Sequence, residues 1–402
     1  DLTFTDCEFK LSGYGIQGNF LLRMSVRGCK FSGYDSSSTK LSRLWHQTGS
    51  IVDSSFEDCF FTGYPADYGV FFSSFYFSTM RDCRFGLDFP ATSTAGLHFN
   101  LFHESKISGL VISPEVGVSN SCIGLRFNRV ITGNVENVSI RGFTNGITIV
   151  TEHKESTFKK IRLAGNGDVA SSCAFSYQGT VISPYSSFTD ISIEDFETGI
   201  KLLYSRFCTI SDNKVRAYKG GLIFYNMSYN TATPHPLSLV PNGHKITNND
   251  VYIGTKGVAP VETFGISVYT PYDCKISGNH VYGATYGIAT GRPSLAPSHC
   301  VVKGNTVAGC YCGIWDKYGQ HNSFVGNNVR DCDAFGFSFA FARDGIVSGN
   351  HVVGAFNMVT TWPYYLGDDD GAGGTVASTA LRLRGGGGNT GADGGGFVHP
   401  WA

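Results

Sequence analysis

One short pattern recurs along the chain and limits what it can fold into. Towards the C-terminal end it reads Ile-x-Gly-Asn-x-Val, as in Ile276-Ser277-Gly278-Asn279-His280-Val281, and Val302-Lys303-Gly304-Asn305-Thr306-Val307 follows the same frame. The frame holds around Asn213, Asn249, Asn327 and Asn350. Further back, Leu110, Val138, Ile161 and Ile191 fill the Asn slot, and near the start Cys7, Cys29, Cys59 and Cys83 fill it. These fourteen copies are spaced 22 to 36 residues apart. A repeat of this period means stacked units, none of which buries its apolar side chains alone.

The frame also sets the type of unit. An apolar residue stands three positions before the slot and another two after it. A second run follows in most copies, as in Gly96-Leu97-His98-Phe99, Gly124-Leu125-Arg126-Phe127 and Gly265-Ile266-Ser267-Val268. Apolar and polar residues alternate there, the mark of a half-buried strand. Short strands divided by Gly, Asn, Asp and Ser leave no room for helices. Each unit is therefore one coil of a parallel solenoid, stacked at about 4.8 Å on the next.

The pattern resembles the right-handed parallel β-helix of the pectate-lyase-like superfamily, over roughly residues 3 to 352. That superfamily includes polysaccharide lyases, hydrolases, epimerases and phage tailspikes. The resemblance implies an all-β, right-handed parallel β-helix of about fourteen coils. It also implies a polysaccharide partner, most like that of a tailspike-type depolymerase. No stretch matches the catalytic signature of one subfamily, and fold does not fix function. A secreted lyase or hydrolase and a non-catalytic fibre stay open. Residues 353–402 leave the repeat and end in a Gly-rich tail.

Composition narrows the field. A net charge of −1 does not suit a nucleic-acid partner. No apolar run is long enough to insert in a membrane. Residue 1 is Asp and the first coil begins at once, so residues are expected to have preceded it. No phosphate loop or zincin motif appears, and no cofactor or metal is expected. Outer positions assigned to Phe60, Phe71, Phe72 and Phe75 would expose more apolar surface than a monomer carries, so a homotrimer is expected.

The twelve cysteines fall into columns. Besides the slot, Cys208, Cys274 and Cys300 lie five residues before it, with His244 in the same column, and Cys310 and Cys332 lie five after it. Buried packing is the expected role. Stacking would bring Cys310 and Cys332 close enough for a bridge. Many thiols suggest folding in a reducing cytoplasm, and hence a virion tail protein rather than a secreted one.

Chemistry on such a solenoid sits outside the coils. The longest insertions, 225–241, 255–263 and 291–298, come from consecutive coils and would form one wall. The Gly-led strands supply a floor with Tyr225, Tyr269 and Trp315 facing out, suited to stacking on sugar rings, and Arg292 and His321 nearby. Asp316 falls on an inward position, where other coils have Phe, Ile, Leu or Val. It is expected either to turn to solvent or to carry a raised pKa. Asp316, with Asp344 or Asp273, is the expected catalytic pair, at separations that suit glycoside hydrolysis. A lyase would instead need a base beside a group that neutralises the uronate carboxylate. A second polar surface is expected around His98, Asn100, Glu104, Arg126, Asn128 and Glu152-His153.

Overall fold

The computed structural model describes residues 1–11, 14–33, 43–63, 68–87, 95–114, 122–167, 171–179, 183–225, 243–254, 262–269, 272–291, 299–317, 319–340, 342 and 345–355, with short strands at 357–362, 382–383 and 390–391. Among them no helix occurs, and strands of successive coils pair in parallel. The chain divides into two compact units, Asp1–Leu202 and Leu203–Ala402. Each is a parallel β-solenoid. A coil of the second unit has three strands: one before the slot bend (Lys275–Ser277), one after it (His280–Tyr282) and the Gly-led strand (Tyr286–Thr290).

The pre-bend strands carry one inward column. In the first unit it runs Phe4, Val26, Phe56, Met80, Ile107, Val135, Phe158, Phe188, each opposite the next. In the second it runs Ile210, Ile246, Ile276, Val302, Phe324, Val347. All but Phe4 are buried. On the post-bend strands, Phe9, Phe31, Phe61 and Phe85 form a continuous ring stack with centroids 4.7–5.0 Å apart.

Two left-handed corners recur along the described coils. The residue before each slot has positive φ, from Asp6 to Gly349. Glycine, Asp or Asn fills this position in every copy but that of Lys160, because those residues tolerate the conformation best. This explains the Gly of the repeat. The slot side chain then turns inward. Asn279 Nδ2 donates to the Ile246 carbonyl at 3.0 Å and to Asn305 Oδ1 at 2.9 Å, while its Oδ1 accepts the Asn249 backbone N–H at 3.0 Å. The same contacts recur along the column to Asn350, so each buried amide is satisfied. In the first unit, the Cys29, Cys59 and Cys83 thiols instead reach carbonyls two residues back, at 3.2–3.3 Å.

The second corner lies two residues before a pre-bend strand, at Asp53, Phe77 and Glu104 in the first unit, and at Phe207, Gly243, Asp273, His299 and His321 in the second. The next residue points inward and takes a backbone N–H from the previous coil. Serines do this in the first unit: Ser54 N–H donates to Ser78 Oγ, and Ser78 N–H to Ser105 Oγ. In the second unit the same column reads Cys208, His244, Cys274, Cys300, Asn322.

The Gly-led strands need their glycine. A Cβ at Gly265 would collide with Val281 and with the carbonyl of Gly287 in the next coil, and Gly221, Gly287 and Gly313 are confined in the same way.

One expectation is corrected here. Phe72 and Phe75 are fully buried core residues, because the strand Tyr68–Tyr76 turns them inward. They therefore add nothing to an outer apolar surface. Cys310 and Cys332 are both thiols, as are all twelve cysteines. On the surface, Arg27, Glu57 and Arg81 share one register position, and Arg81 Nη2 lies 3.1 Å from Glu57 Oε2. Such an exposed pair contributes at most about 1 kcal/mol.

Candidate functional site

The outer face of the Gly-led strands in the second unit carries a row of aromatic rings. Tyr225 stacks on Tyr269 with centroids 4.1 Å apart, and their hydroxyls approach to 3.4 Å. Phe264 stacks on Tyr286 at 5.4 Å, and Tyr286 on Trp315 at 4.8 Å. The row lies over Ile223 and Ala289, outward residues that it helps to bury. Lys317 Nζ stands 6.0 Å from the Trp315 ring centre, within cation–π range. The structure thus brings together Tyr225, Tyr269 and Trp315, three residues expected to hold sugar. It adds Tyr286 and Phe264, which the sequence reading passed over. Their signal was available, because both stand immediately before the constrained glycine.

At the edge of this face runs the second left-handed corner. Asp273, His299 and His321 occupy the same position in three successive coils, each two residues before its pre-bend strand. All three are exposed. The His299 and His321 rings stack with centroids 5.1 Å apart, and Tyr272 lies 5.8 Å from His299. Asp and His are among the residues that tolerate a left-handed backbone, which accounts for their presence at the corner. Four residues separate Tyr269 from Asp273 and Lys317 from His321, so neither pair can be more than about 14 Å apart. Asp273 and His321 were expected at the site, whereas His299 was missed.

Asp316 differs from its expected role. Its side chain is 1% exposed and points into the solenoid. Thr290 Oγ1 donates to Oδ1 at 2.8 Å, and Asn322 Nδ2 lies 3.2 and 3.3 Å from the two oxygens. A Cβ at Gly319 would collide with Oδ2, so the turn after the strand closes directly over the carboxyl. Burial pushes its pKa up to about 7, against the lowering effect of the Thr290 and Asn322 hydrogen bonds. Of the two alternatives read from sequence, the raised pKa is the one found. A carboxyl sealed beneath the face cannot touch a glycan lying on it, and Asp316 as a direct acid or base is corrected on that ground. Its partner Asn322 follows His321 and accepts the Cys300 N–H at 2.9 Å. Asp316 therefore fastens the corner that presents His321. Asp344 and Arg292, and the insertions 226–241, 255–261 and 292–298, lie outside the described residues.

The second expected surface, in the first unit, is mostly occupied by its own contacts. His98 is buried between Tyr68 and Phe71 at centroid distances of 4.8 and 5.0 Å. Asn128 donates to Asn100 at 2.7 Å, and Arg129 pairs with Glu152 at 2.9 Å. His153 faces inward, with Nδ1 2.9 Å from Ser186 Oγ.

A family model described as right handed beta helix region matches residues 264–360, which include the site residues named above except Tyr225. With the parallel register, this makes the fold a right-handed parallel β-helix. No curated protein matches the chain in sequence. Among solved structures, it is similar to a tailspike protein mutant of E. coli bacteriophage HK620 in complex with a pentasaccharide (TM-score 0.47, 10% identity, 88% of this chain and 70% of that chain). It is also similar to a DFA-IIIase from Arthrobacter chlorophenolicus A6 (TM-score 0.44, 11% identity, 76% and 81%). A third is the A-module of a mannuronan C-5 epimerase from Azotobacter vinelandii (TM-score 0.40, 9% identity, 80% and 85%).

Proposed function

We propose that the protein is a tailspike-like polysaccharide depolymerase that binds its glycan along the outer face of the Gly-led strands. The observation that carries this reading is the aromatic row from Tyr225 to Trp315, beside a corner that presents Asp273, His299 and His321. Partly exposed rings held in a row offer apolar surface to sugar rings, and they lie along the direction in which successive coils add up.

The groups at the edge suit elimination better than hydrolysis. Hydrolysis needs two carboxylates flanking the bond. The described corner contributes Asp273 and two imidazoles. In elimination, an imidazole of His299 or His321 takes the proton next to the uronate carboxylate. Lys317 offsets the charge that develops on that carboxylate. The electron pair forms the C4–C5 double bond, the C4–oxygen bond breaks, and the leaving oxygen takes a proton.

The test is incubation with bacterial capsular, algal and plant polysaccharides, reading ultraviolet absorbance of unsaturated ends and total reducing ends. Elimination raises both signals. Reducing ends without absorbance would mean hydrolysis, and neither signal with any polymer would mean a binding fibre.

A further inference from the structure

We infer that the post-bend strands of the second unit form a separate binding surface for an acidic polysaccharide, with one uronate ring seated on Tyr282. Their outward column reads Arg216, Tyr252, Tyr282, Ala308, Arg330, each one coil above the last. Five positions at the coil spacing extend over about 19 Å. An open groove of about 640 Å³ runs along them.

Three features point to a glycan. The first is the aromatic pair. Tyr252 and Tyr282 stack with centroids 5.7 Å apart and planes within 8°, and they stay 48% and 50% exposed. Large exposed rings held parallel are costly in water unless something covers them. The second is the break in the ladder. After Tyr282 the column changes to Ala308, and Gly309 follows with φ +58. A Cβ at Gly309 would stand 3.1–3.3 Å from the Tyr282 ring. The Tyr282 ring therefore packs down on these two small residues, of which Ala308 is buried, and is held in place with its outer half open to solvent. The third is charge. Arg330 is exposed one coil beyond Ala308, Arg216 one coil before the pair, and Lys214 beside Arg216. None of these three cations has an ion-pair partner among the described residues. The one carboxylate lining the groove, Asp250, is already 3.0 Å from His280 Nδ1.

Rings alone would suit any sugar, and cations alone any polyanion. Two adjacent rings flanked by cations along one column suit a chain whose pyranose rings each carry a carboxylate. A uronate ring on Tyr282 places its carboxylate towards Arg330, and a second unit over Tyr252 is reached by Arg216. This surface uses no residue of the Gly-led face and stands whether or not that face is catalytic. It would retain an acidic polymer on the protein while another segment is processed.

The test is calorimetric titration with tetragalacturonate and with neutral maltotetraose, all in a Trp315→Ala background so that the Gly-led face contributes little. Tetragalacturonate is expected to bind at least about tenfold more tightly than maltotetraose, the scale of one charge-assisted contact. Tyr282→Ala and Arg330→Gln should each weaken it about tenfold or more, and Tyr282→Phe should not. Circular dichroism identifies any variant that misfolds, and Tyr252→Ala then replaces it with the same expectation. Equal binding of the two sugars, unchanged binding in Tyr282→Ala and Arg330→Gln, or no binding of tetragalacturonate would overturn the inference. So would equal binding of a tetraglutamate, which would mean that charge alone is read.

Discussion

Asn322 points its side-chain amide at both carboxylate oxygens of Asp316, at 3.2 and 3.3 Å, inside the solenoid. The contact ties the end of a Gly-led strand to the corner that begins the next pre-bend strand. His321, the residue before Asn322, is thereby held outward. A buried polar pair thus supports an exposed candidate group without touching substrate.

The Asp316 carboxyl gives this tie a pH dependence. Its folded-state pKa stands near 7, above the ordinary 3.8, because burial disfavours the charge. Stability from the neutral form is complete below 3.8 and is lost as pH rises through about 7, an effect of at most about 4 kcal/mol. Asp316→Asn cannot ionise, so its melting temperature should fall less than the wild type's between pH 5 and pH 8. Parallel melting curves for the two proteins across this range would contradict the assignment.

His244 acts in the opposite direction. It is buried and its pKa is lowered to about 4 by desolvation, with the Ser205 backbone opposing. Stability from the neutral ring is present above 6.5 and is lost as pH falls through about 4. The matching position in the first unit is serine in several coils, so His244→Ser should fold. Its loss of stability between pH 6.5 and 4 should be smaller than the wild type's by about 3 kcal/mol or less. Denaturant titrations at the two pH values measure this.

The asparagine column should be costly to interrupt. Asn279→Ala removes the acceptor of the Asn249 backbone N–H and the donor to the Ile246 carbonyl. Each buried group left unsatisfied costs about 1–3 kcal/mol, so a total loss near 3 kcal/mol or more is expected from urea unfolding. Gly304→Ala, in the neighbouring bend, would meet no atom within 4 Å but requires φ +62. Its smaller loss, about 1 kcal/mol, would come from backbone strain alone.

The thiols should be inert in the native protein. Eleven of the twelve cysteines are buried and Cys7 is partly buried. A thiol reagent should therefore label Cys7 first and the rest only on unfolding. Rapid native labelling of Cys59 would show that the slot column opens. Cys59→Ala should cost about 1–2 kcal/mol by the cavity it leaves.

The repeat made the coil, its inward columns and the asparagine ladder legible, because each rests on a residue type at a fixed offset. The aromatic row was partly legible for the same reason: Tyr225, Tyr269 and Trp315 alternate with core residues. Phe72 and Phe75 were misplaced because Tyr68–Tyr76 is a longer strand, paired with a register irregularity at Phe72/Ser74. A one-residue shift of phase moves a side chain from one face to the other. Asp316 was recognised as unusual, but its partner could not be read, since Asn322 meets it only through the turn closed by Gly319. The Cys208, His244, Cys274 and Cys300 column was read by its offset from the slot, but its serine counterparts in the first unit and His299, one residue before Cys300, were missed.

The central claim is that the aromatic face binds a polysaccharide for cleavage at the Asp273, His299 and His321 corner. The most direct measurement compares single-turnover cleavage by the wild type, Trp315→Ala and His299→Asn/His321→Asn, on whichever polymer of the panel the wild type degrades. Asparagine is chosen because it accepts the left-handed backbone that both histidines adopt. The double variant should keep glycan affinity and lose about 10²-fold or more in rate, and Trp315→Ala should lose affinity as well. Wild-type cleavage rates in both variants would contradict the account and move the active site away from this face.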